Sequence, residues 1–256
     1  MARKPILSPS KITTYLACPV RYRWTYIDDR GKWYLRAKSY YSFGTTLHKV
    51  LERFHNAGDA GVQTTAEALA AYDENWIDAG FSNAEEMAEA YGEGKNIIEK
   101  HIERESKRTV TSETLFVERN LKFEYDHFRL VGRIDRLDQL GDGTLEIIDY
   151  KSGREFVSDE DVRDDIAMAV YQLLVSKLYP GQPVKATILA LKSGEQASAQ
   201  MSPEELDAFE KDIYQLGCEI VSTDDFYDRI PVFKRLCGSC DFIPLCRKHP
   251  EFDEVT

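Results

Sequence analysis

The sequence predicts an α/β fold, and three observations predict it. Apolar residues recur at helical spacing through residue 108, two stretches rich in β-branched and aromatic residues follow, and a helix, strand, helix order precedes a cysteine-rich tail. With 256 residues, 43 % of them hydrophobic, the chain can bury one good core. No repeat, low-complexity tract or obvious linker interrupts it. A single domain over 1–256 is therefore expected, made of a basic Cys-containing segment (8–38), a helical part (44–108), a strand-rich core (112–200) and a C-terminal helix with a cysteine group (202–250).

The elements follow in order. SPSKITTYLACPVRYRWTYI, residues 8–27, opens on a Ser-Pro-Ser cap signal with Ile12, Tyr15 and Leu16 at helical spacing, and Cys18-Pro19 should end or kink that helix. From Gly44, GTTLHKVLERFH carries Leu47, Val50, Leu51 and Phe54 as one apolar stripe, with His48, Glu52 and His55 on a neighbouring face. Residues 64–108, rich in Ala, Glu and Lys, read as one or two helices. The period then changes. LFVERNLKFEYDHFRLVGRIDRLDQL and TLEIIDYKSG have strand composition and are separated by the turn signal Gly141-Asp142-Gly143. Residues 160–179 return to helix, VKATILAL to strand, and SPEELDAFEKDIYQLGCEIV to a helix capped by Ser202 with Pro203 at its first position.

Charge and cysteine content narrow the class. No apolar run is long enough to cross a bilayer and MARKPILSPSK lacks the apolar segment of a secretory signal, so a cytoplasmic protein with no membrane partner is expected. The five cysteines are an odd number, one near the start and three bunched at the end, which favours a metal centre over a disulfide framework. A net charge of −11 speaks against nucleic acid as a whole, but residues 1–38 carry nine Lys and Arg against two Asp. Arg21 and Arg23 there interleave with Tyr22, Trp24, Tyr26, Trp33 and Tyr34, and Tyr40 and Tyr41 follow. Cations for phosphates and aromatic faces for bases are what a single-strand platform needs. The same stripe also reads as a solvated amphipathic helix whose aromatics pack inward.

The hairpin holds the chemistry. If Gly141 to Gly143 form the turn, Leu140 pairs with Thr144 and Asp135 sits opposite Asp149, their Cβ atoms roughly 5 Å apart. Lys151 shares that face by strand alternation, whereas Glu146 and Tyr150 point the other way. Two carboxylates can share a divalent cation, and a lysine beside them can position a water or steady developing charge. Arg133 faces the same side and could meet a phosphate or make an ordinary charge pair. Considered alone, Asp149-x-Lys151 also fits a surface salt bridge worth under about 1 kcal/mol.

GRIDRLD followed by EIIDYKSG, with GTTLHKVLE upstream, resembles the PD-(D/E)XK nuclease superfamily in its RecB-like branch. The resemblance implies a restriction-endonuclease-like core, a central mixed sheet flanked by helices. It further implies Mg²⁺ or Mn²⁺ held by His48, Asp135, Asp149 and the main-chain carbonyl of Tyr150, with Lys151 as catalytic lysine. Glu52, one helical turn from His48, could support the site from behind. The branch also carries a Gln in the next helix, usually with a Tyr four residues on. Gln172 matches as a residue of the site wall or substrate contact, but position 176 is Ser, which leaves the roles of Tyr171 and Tyr179 open.

The tail reads CGSCDFIPLC. Cys237, Cys240 and Cys246 supply three thiolates, and Cys18 in YLACPVRY is the natural fourth for structural zinc or a [4Fe–4S] cluster. Cys218, in the helical pattern LGCEIV, reads as a buried structural cysteine. One Cys in SPSKITTYLACP and a C-x2-C-x5-C after the core resemble the iron–sulfur nucleases of this superfamily, the AddB-type and CRISPR-adaptation-associated exonucleases. That resemblance implies a [4Fe–4S] staple joining the N- and C-terminal segments, with zinc as the alternative.

The expectation is therefore a metal-dependent DNA exonuclease acting on single-stranded DNA or DNA ends in recombination, repair or CRISPR adaptation. A helicase or CRISPR integrase would be a partner, since no G-x-x-x-x-G-K-[ST] occurs. Two other readings stay open: a DNA-end-binding or trimming module of a larger complex, and a zinc-stabilised interaction protein without catalysis.

Overall fold

The structure, a computed structural model, describes residues 4–56 and 61–253. In chain order the elements are β1 (Ile6–Leu7), α1 (Pro9–Ala17), α2 (Pro19–Tyr22), a π-helical turn (Arg23–Ile27), a 3₁₀ turn (Asp29–Trp33), α3 (Ser39–His55), α4 (Thr65–Asn75) and α5 (Ala84–Ser106). There follow β2 (Ser112–Glu124), β3 (Arg129–Leu140), β4 (Leu145–Lys151), α6 (Asp159–Asp164), α7 (Ile166–Leu178), β5 (Val184–Ala190), β6 (Gln196–Ala199), α8 (Pro203–Ser222), a 3₁₀ turn (Arg235–Ser239) and α9 (Ile243–Cys246). They divide into two compact units. The larger comprises Ala37–Phe123 and Val131–Glu210, and the smaller the residues through Arg36, Glu124–Leu130 and those from Lys211 onward.

In the larger unit the apolar pattern sets the layers. β4 lies between β3 and β5, with β2 paired to β3 and β6 to β5. Leu145 to Tyr150 are all buried, as expected of a central strand covered on both faces. β3 and β4 run antiparallel with Arg136 opposite Ile148, Leu137 opposite Ile147, Asp138 opposite Glu146 and Gln139 opposite Leu145, the register expected from the turn. At its corner Leu140 N–H donates to Thr144 O at 2.9 Å, and Gly143 takes a left-handed φ of +86° that a side chain would strain. β4 and β5 are parallel, which requires a crossover, here α6 and α7. The sheet is thus mixed and flanked by helices, as the α/β expectation has it.

The stripe of α3 buries Leu47, Val50 and Leu51 against Ile97 and Ile98 of α5 and Ile148 and Leu189 of the sheet. Asn83 caps α5 by accepting the Glu86 N–H at 2.8 Å, and Thr64 with Glu67 forms a capping box on α4. Beneath the hairpin lies a buried ionic cluster. Asp138, wholly buried, accepts from Arg136 Nε at 2.7 Å, Arg136 Nη2 at 2.5 Å, Arg108 Nη1 at 3.0 Å and Thr114 Oγ1 at 2.8 Å. His55, grouped with His48 by spacing, instead turns to His101, Nε2 to Nε2 at 2.9 Å.

Residues 64–108 form two helices, within the expectation of one or two, and other elements are refined. The run from Leu115 to Leu140 is two strands, folded back where Tyr125 N–H donates to Phe128 O at 2.9 Å. The helix over 160–179 breaks at Asp165, whose side chain accepts the Ala167 N–H and starts α7 afresh. Short β6 alternates outward and buried residues, but its Gln, Ala and Ser lack the β-branched and aromatic composition that announces a strand.

In the smaller unit β1 pairs in parallel with the start of β3. Ser8 caps α1, and Cys18 both ends α1 and caps α2, its Sγ accepting the Arg21 N–H at 3.4 Å. The break at Cys18-Pro19 is as read. The aromatic stripe divides: Tyr15, Tyr22 and Trp24 are buried, with Tyr22 stacked on Phe226 at 5.5 Å, whereas Tyr26 and Trp33 stay exposed. Tyr22 is therefore core and not a stacking surface. Cys218 is only half-buried, because it lies off the Ile213, Gly217 and Ile220 face that α8 buries. Among the described residues no helix is long and apolar enough to cross a membrane.

Candidate active site

Side chains from α3, β2, β3, β4 and α7 line one pocket of about 760 Å³ in the larger unit. His48 enters from the edge of α3 that flanks the buried stripe fixing the helix on the sheet. Its Nδ1 lies 3.4 Å from Glu118 Oε1 and 3.4 Å from Asp135 Oδ1, and its Nε2 meets the Tyr150 carbonyl at 3.1 Å. Asp135 Oδ2 accepts the Tyr150 N–H at 2.8 Å, which ties the middle of β3 to the end of β4. Extending the hairpin register by one residue sets Asp135 opposite Asp149. Asp149 is buried, and Lys151 Nζ stands 2.7 Å from its Oδ2.

Each charge responds to its neighbours. Burial would push the His48 imidazole down, but hydrogen bonds and charge from Asp135 and Glu118 outweigh it and raise the ring to about 10. Burial first, and the Asp135 carboxylate second, raise Asp149 to about 6, with Lys151 and His48 pulling the other way. Lys151, despite burial, is raised by Asp149. The site thus draws positive charge toward its carboxylates.

Among the described residues His48, Glu118 and Asp135 form a group whose ligand atoms all lie within 4.8 Å of one another, and such a group could hold a metal ion. The donor set fits one. Carboxylate oxygens with a single imidazole suit a hard divalent cation, which would meet the same carboxylates that now attract the imidazolium. Asp149 Oδ2, shut away from solvent and faced by Lys151, adds a further buried anionic oxygen.

Glu118 is the residue that sequence reasoning missed. It sits inside β2 with φ of +46°, a left-handed conformation rare for a residue with a side chain, and no pattern of alternation announces it. Its Oε2 is held by Arg133 Nε at 2.5 Å, so Arg133 makes the charge pair and leaves much of its side chain in solvent. Glu52 lines the pocket as its spacing suggested, alongside Tyr171. Tyr171 fits there because Gly132 beneath it has no Cβ, which would stand 2.9 Å from the ring. Gln172 is not brought to the pocket; it is buried and its Oε1 accepts the Met201 N–H at 3.0 Å. Tyr179 only ends α7.

The cysteines of the smaller unit form a second constellation. Cys18, Cys240 and Cys246 pack against Val20, Trp24 and Phe242, and Cys237 is buried with its Sγ accepting the Lys234 N–H at 3.3 Å. Burial and then the charges of Cys240, Cys18 and Cys237 raise the Cys246 thiol to about 11, which marks the four as electrostatic neighbours. Burial likewise raises the Cys240 thiol, against the lowering influence of the Arg21 charge.

The sequence model of the PD-(D/E)XK nuclease superfamily matches residues 6–247. No significant match is found among curated protein sequences. Solved structures similar to the chain include that of SSO0001, at 12 % identity and a TM-score of 0.39 over 97 % of this chain and 89 % of that one. Another is a candidate exonuclease from Eubacterium rectale, at 10 % identity and a TM-score of 0.37 over 85 % of this chain and 94 % of that one.

Proposed function

The chain belongs to the PD-(D/E)XK nuclease superfamily, whose members use divalent metals, and from that premise we propose that it is an exonuclease of the RecB-like branch acting on single-stranded DNA or DNA ends. Residues 1–256 would serve as one nuclease domain. The observation that carries the proposal is the convergence of His48, Glu118, Asp135 and the Asp149–Lys151 pair on one pocket. Mg²⁺ or Mn²⁺ held by these carboxylates, with His48 and the Tyr150 carbonyl beside them, would polarise the phosphodiester and acidify a bound water. Lys151, fixed by Asp149, would orient the attacking water and steady negative charge on the phosphate oxygens. Arg133, Lys49 and Arg154, all lining the pocket, would meet flanking phosphates. Water adds to phosphorus as the bond to the leaving sugar oxygen breaks.

We further propose that Cys18, Cys237, Cys240 and Cys246 hold a [4Fe–4S] cluster. The mutual influence of the four thiols supports it, as does Trp24 Nε1 of the same packed group, a buried donor with no hydrogen-bond partner. Bound there, the cluster would tie the chain's two ends together within the smaller unit. Iron and acid-labile sulfide in anaerobically purified protein would support this, and stoichiometric zinc in colourless protein would replace it.

Cleavage of linear and circular single-stranded DNA, labelled at either end, in Mg²⁺, Mn²⁺ or EDTA tests the activity. An exonuclease degrades the linear substrate only with metal, spares the circle, and loses first the label at the end it attacks. Cutting of the circle would make the enzyme an endonuclease.

A further inference from the structure

The smaller unit contains a second cavity, of about 560 Å³, that the hydrolytic site does not use. Arg23, Arg30 and Lys248 line it together with the rings of Trp24, Tyr34 and Tyr227, and no Asp or Glu is among its lining residues. In a chain of net charge −11 this is a local concentration of cations beside aromatic faces. Arg23 Cζ lies 4.3 Å from the centre of the Trp24 ring and 5.5 Å from that of Tyr227, and Arg30 Cζ lies 5.4 Å from the same indole. Two guanidiniums therefore share one ring. Asp28 answers Arg30 in a fork, Nε to Oδ1 at 2.9 Å and Nη2 to Oδ2 at 2.5 Å. Arg23 is fixed by neutral carbonyls, those of Phe226 at 3.0 Å and Tyr227 at 3.4 Å, which orient it without cancelling its charge.

Such a wall has a recognisable complement. Planar guanidiniums match phosphate oxygens two at a time, and an adjacent lysine adds a mobile charge. Aromatic faces stack nucleobases of any sequence, and guanidiniums over rings reinforce the stack. The volume falls within the roughly 300–1,000 Å³ usual for a small-ligand site. An acidic peptide would use the cations but leave three rings idle. We propose that this cavity binds a nucleoside phosphate, its phosphate on Arg23 and Lys248 and its base against Tyr227 and the neighbouring rings. The ligand is a free nucleotide or one unit of a strand. The inference stands on these residues and does not require the hydrolytic reading.

The test is calorimetric titration of the full-length protein, with its cysteine-bound metal centre intact and no added divalent cation, with dTMP, thymidine, inorganic phosphate and a short single-stranded oligonucleotide. Wild type is compared with Tyr227→Ala, Lys248→Glu and His48→Ala. Tyr227 is 58 % exposed and Lys248 is exposed, so both changes leave the core intact, and thermal melting checks that they do. The expected result is that each cavity variant weakens nucleotide or strand binding by about tenfold, the size of one lost stacking or phosphate contact, while His48→Ala leaves dTMP binding unchanged. Binding of dTMP that exceeds that of thymidine and of phosphate assigns a free nucleotide. Binding of the oligonucleotide alone, weakened by Lys248→Glu, assigns a strand. No binding of any probe, or binding indifferent to both cavity variants, overturns the proposal; so does binding that falls only with His48→Ala, which belongs to the other pocket.

Discussion

His48 Nδ1 lies 3.4 Å from Asp135 Oδ1, and the same ring reaches the Tyr150 carbonyl with Nε2 at 3.1 Å. One side chain of α3 thus touches both strands of the hairpin that carries the charged residues. The imidazolium held there shows what the pocket favours, a positive charge between carboxylates. Glu118 stands at an equal 3.4 Å from the same nitrogen and completes the cage.

If Glu118 contributes an oxygen to a bound cation, Glu118→Gln should weaken Mn²⁺ binding by at least about tenfold while the protein stays folded. Titration calorimetry reads this directly. Unchanged affinity would remove Glu118 from the ligand set and leave it as the partner of Arg133.

Tyr40 and Tyr41 open α3 at the rim of the catalytic pocket, 59 % and 63 % exposed, with ring centres 4.4 Å apart. Tyr41 precedes His48 by two helical turns, about 10 Å along the axis. Stacking on such rings contributes about 1–3 kcal/mol per base, so Tyr41→Ala should raise KM for single-stranded DNA about tenfold with kcat little changed. Steady-state kinetics on single-stranded and duplex substrates check it; an equal loss on duplex would assign the rings to packing.

The buried Asp138 offers a stability test. Burial pushes its carboxyl up, but Arg136, Thr114 and Arg108 outweigh this and hold it below its ordinary 3.8. A carboxylate whose folded value is depressed stabilises the fold above its unfolded value, and that contribution is lost as pH falls through the folded one. Asp138→Asn, which leaves Arg136 short of its counter-charge, should therefore cost about 3–5 kcal/mol at neutral pH, and the gap to wild type should close in acid below about pH 4. Urea unfolding across that range measures both halves.

For the cysteine group, Cys246→Ser should abolish bound iron and lower the melting temperature, whereas Cys218→Ser, outside the group, should leave both unchanged. Iron analysis and thermal melting suffice. Iron retained in Cys246→Ser would exclude that thiol as a ligand.

The hairpin register was legible because a short glycine turn and strict alternation leave little freedom: Leu140 pairs with Thr144, and Asp138 faces Glu146. The helical spacing of His48 put it only on a face beside the apolar stripe, and its place in the site came from the resemblance to the nuclease family. Lys151 could be placed by strand alternation from Asp149. Glu118 could not, since its left-handed backbone departs from the regular strand on which parity depends. Nor could the fate of Tyr22, which an irregular path from α2 into a π-helical turn directs onto Phe226. Composition counted the aromatics of that segment but could not say that Tyr15, Tyr22 and Trp24 turn inward while Trp33 stays 85 % exposed.

The central claim is that the hairpin is catalytic, and Lys151→Ala tests it most directly. Asp149 and the His48, Glu118 and Asp135 group remain in that variant, so Mn²⁺ should still bind, and calorimetry confirms that the site survives. The account predicts metal-dependent degradation of end-labelled DNA by wild type and a loss of at least about a hundredfold in single-turnover rate for the variant. Equal rates in the two proteins, with metal bound in both, would contradict it.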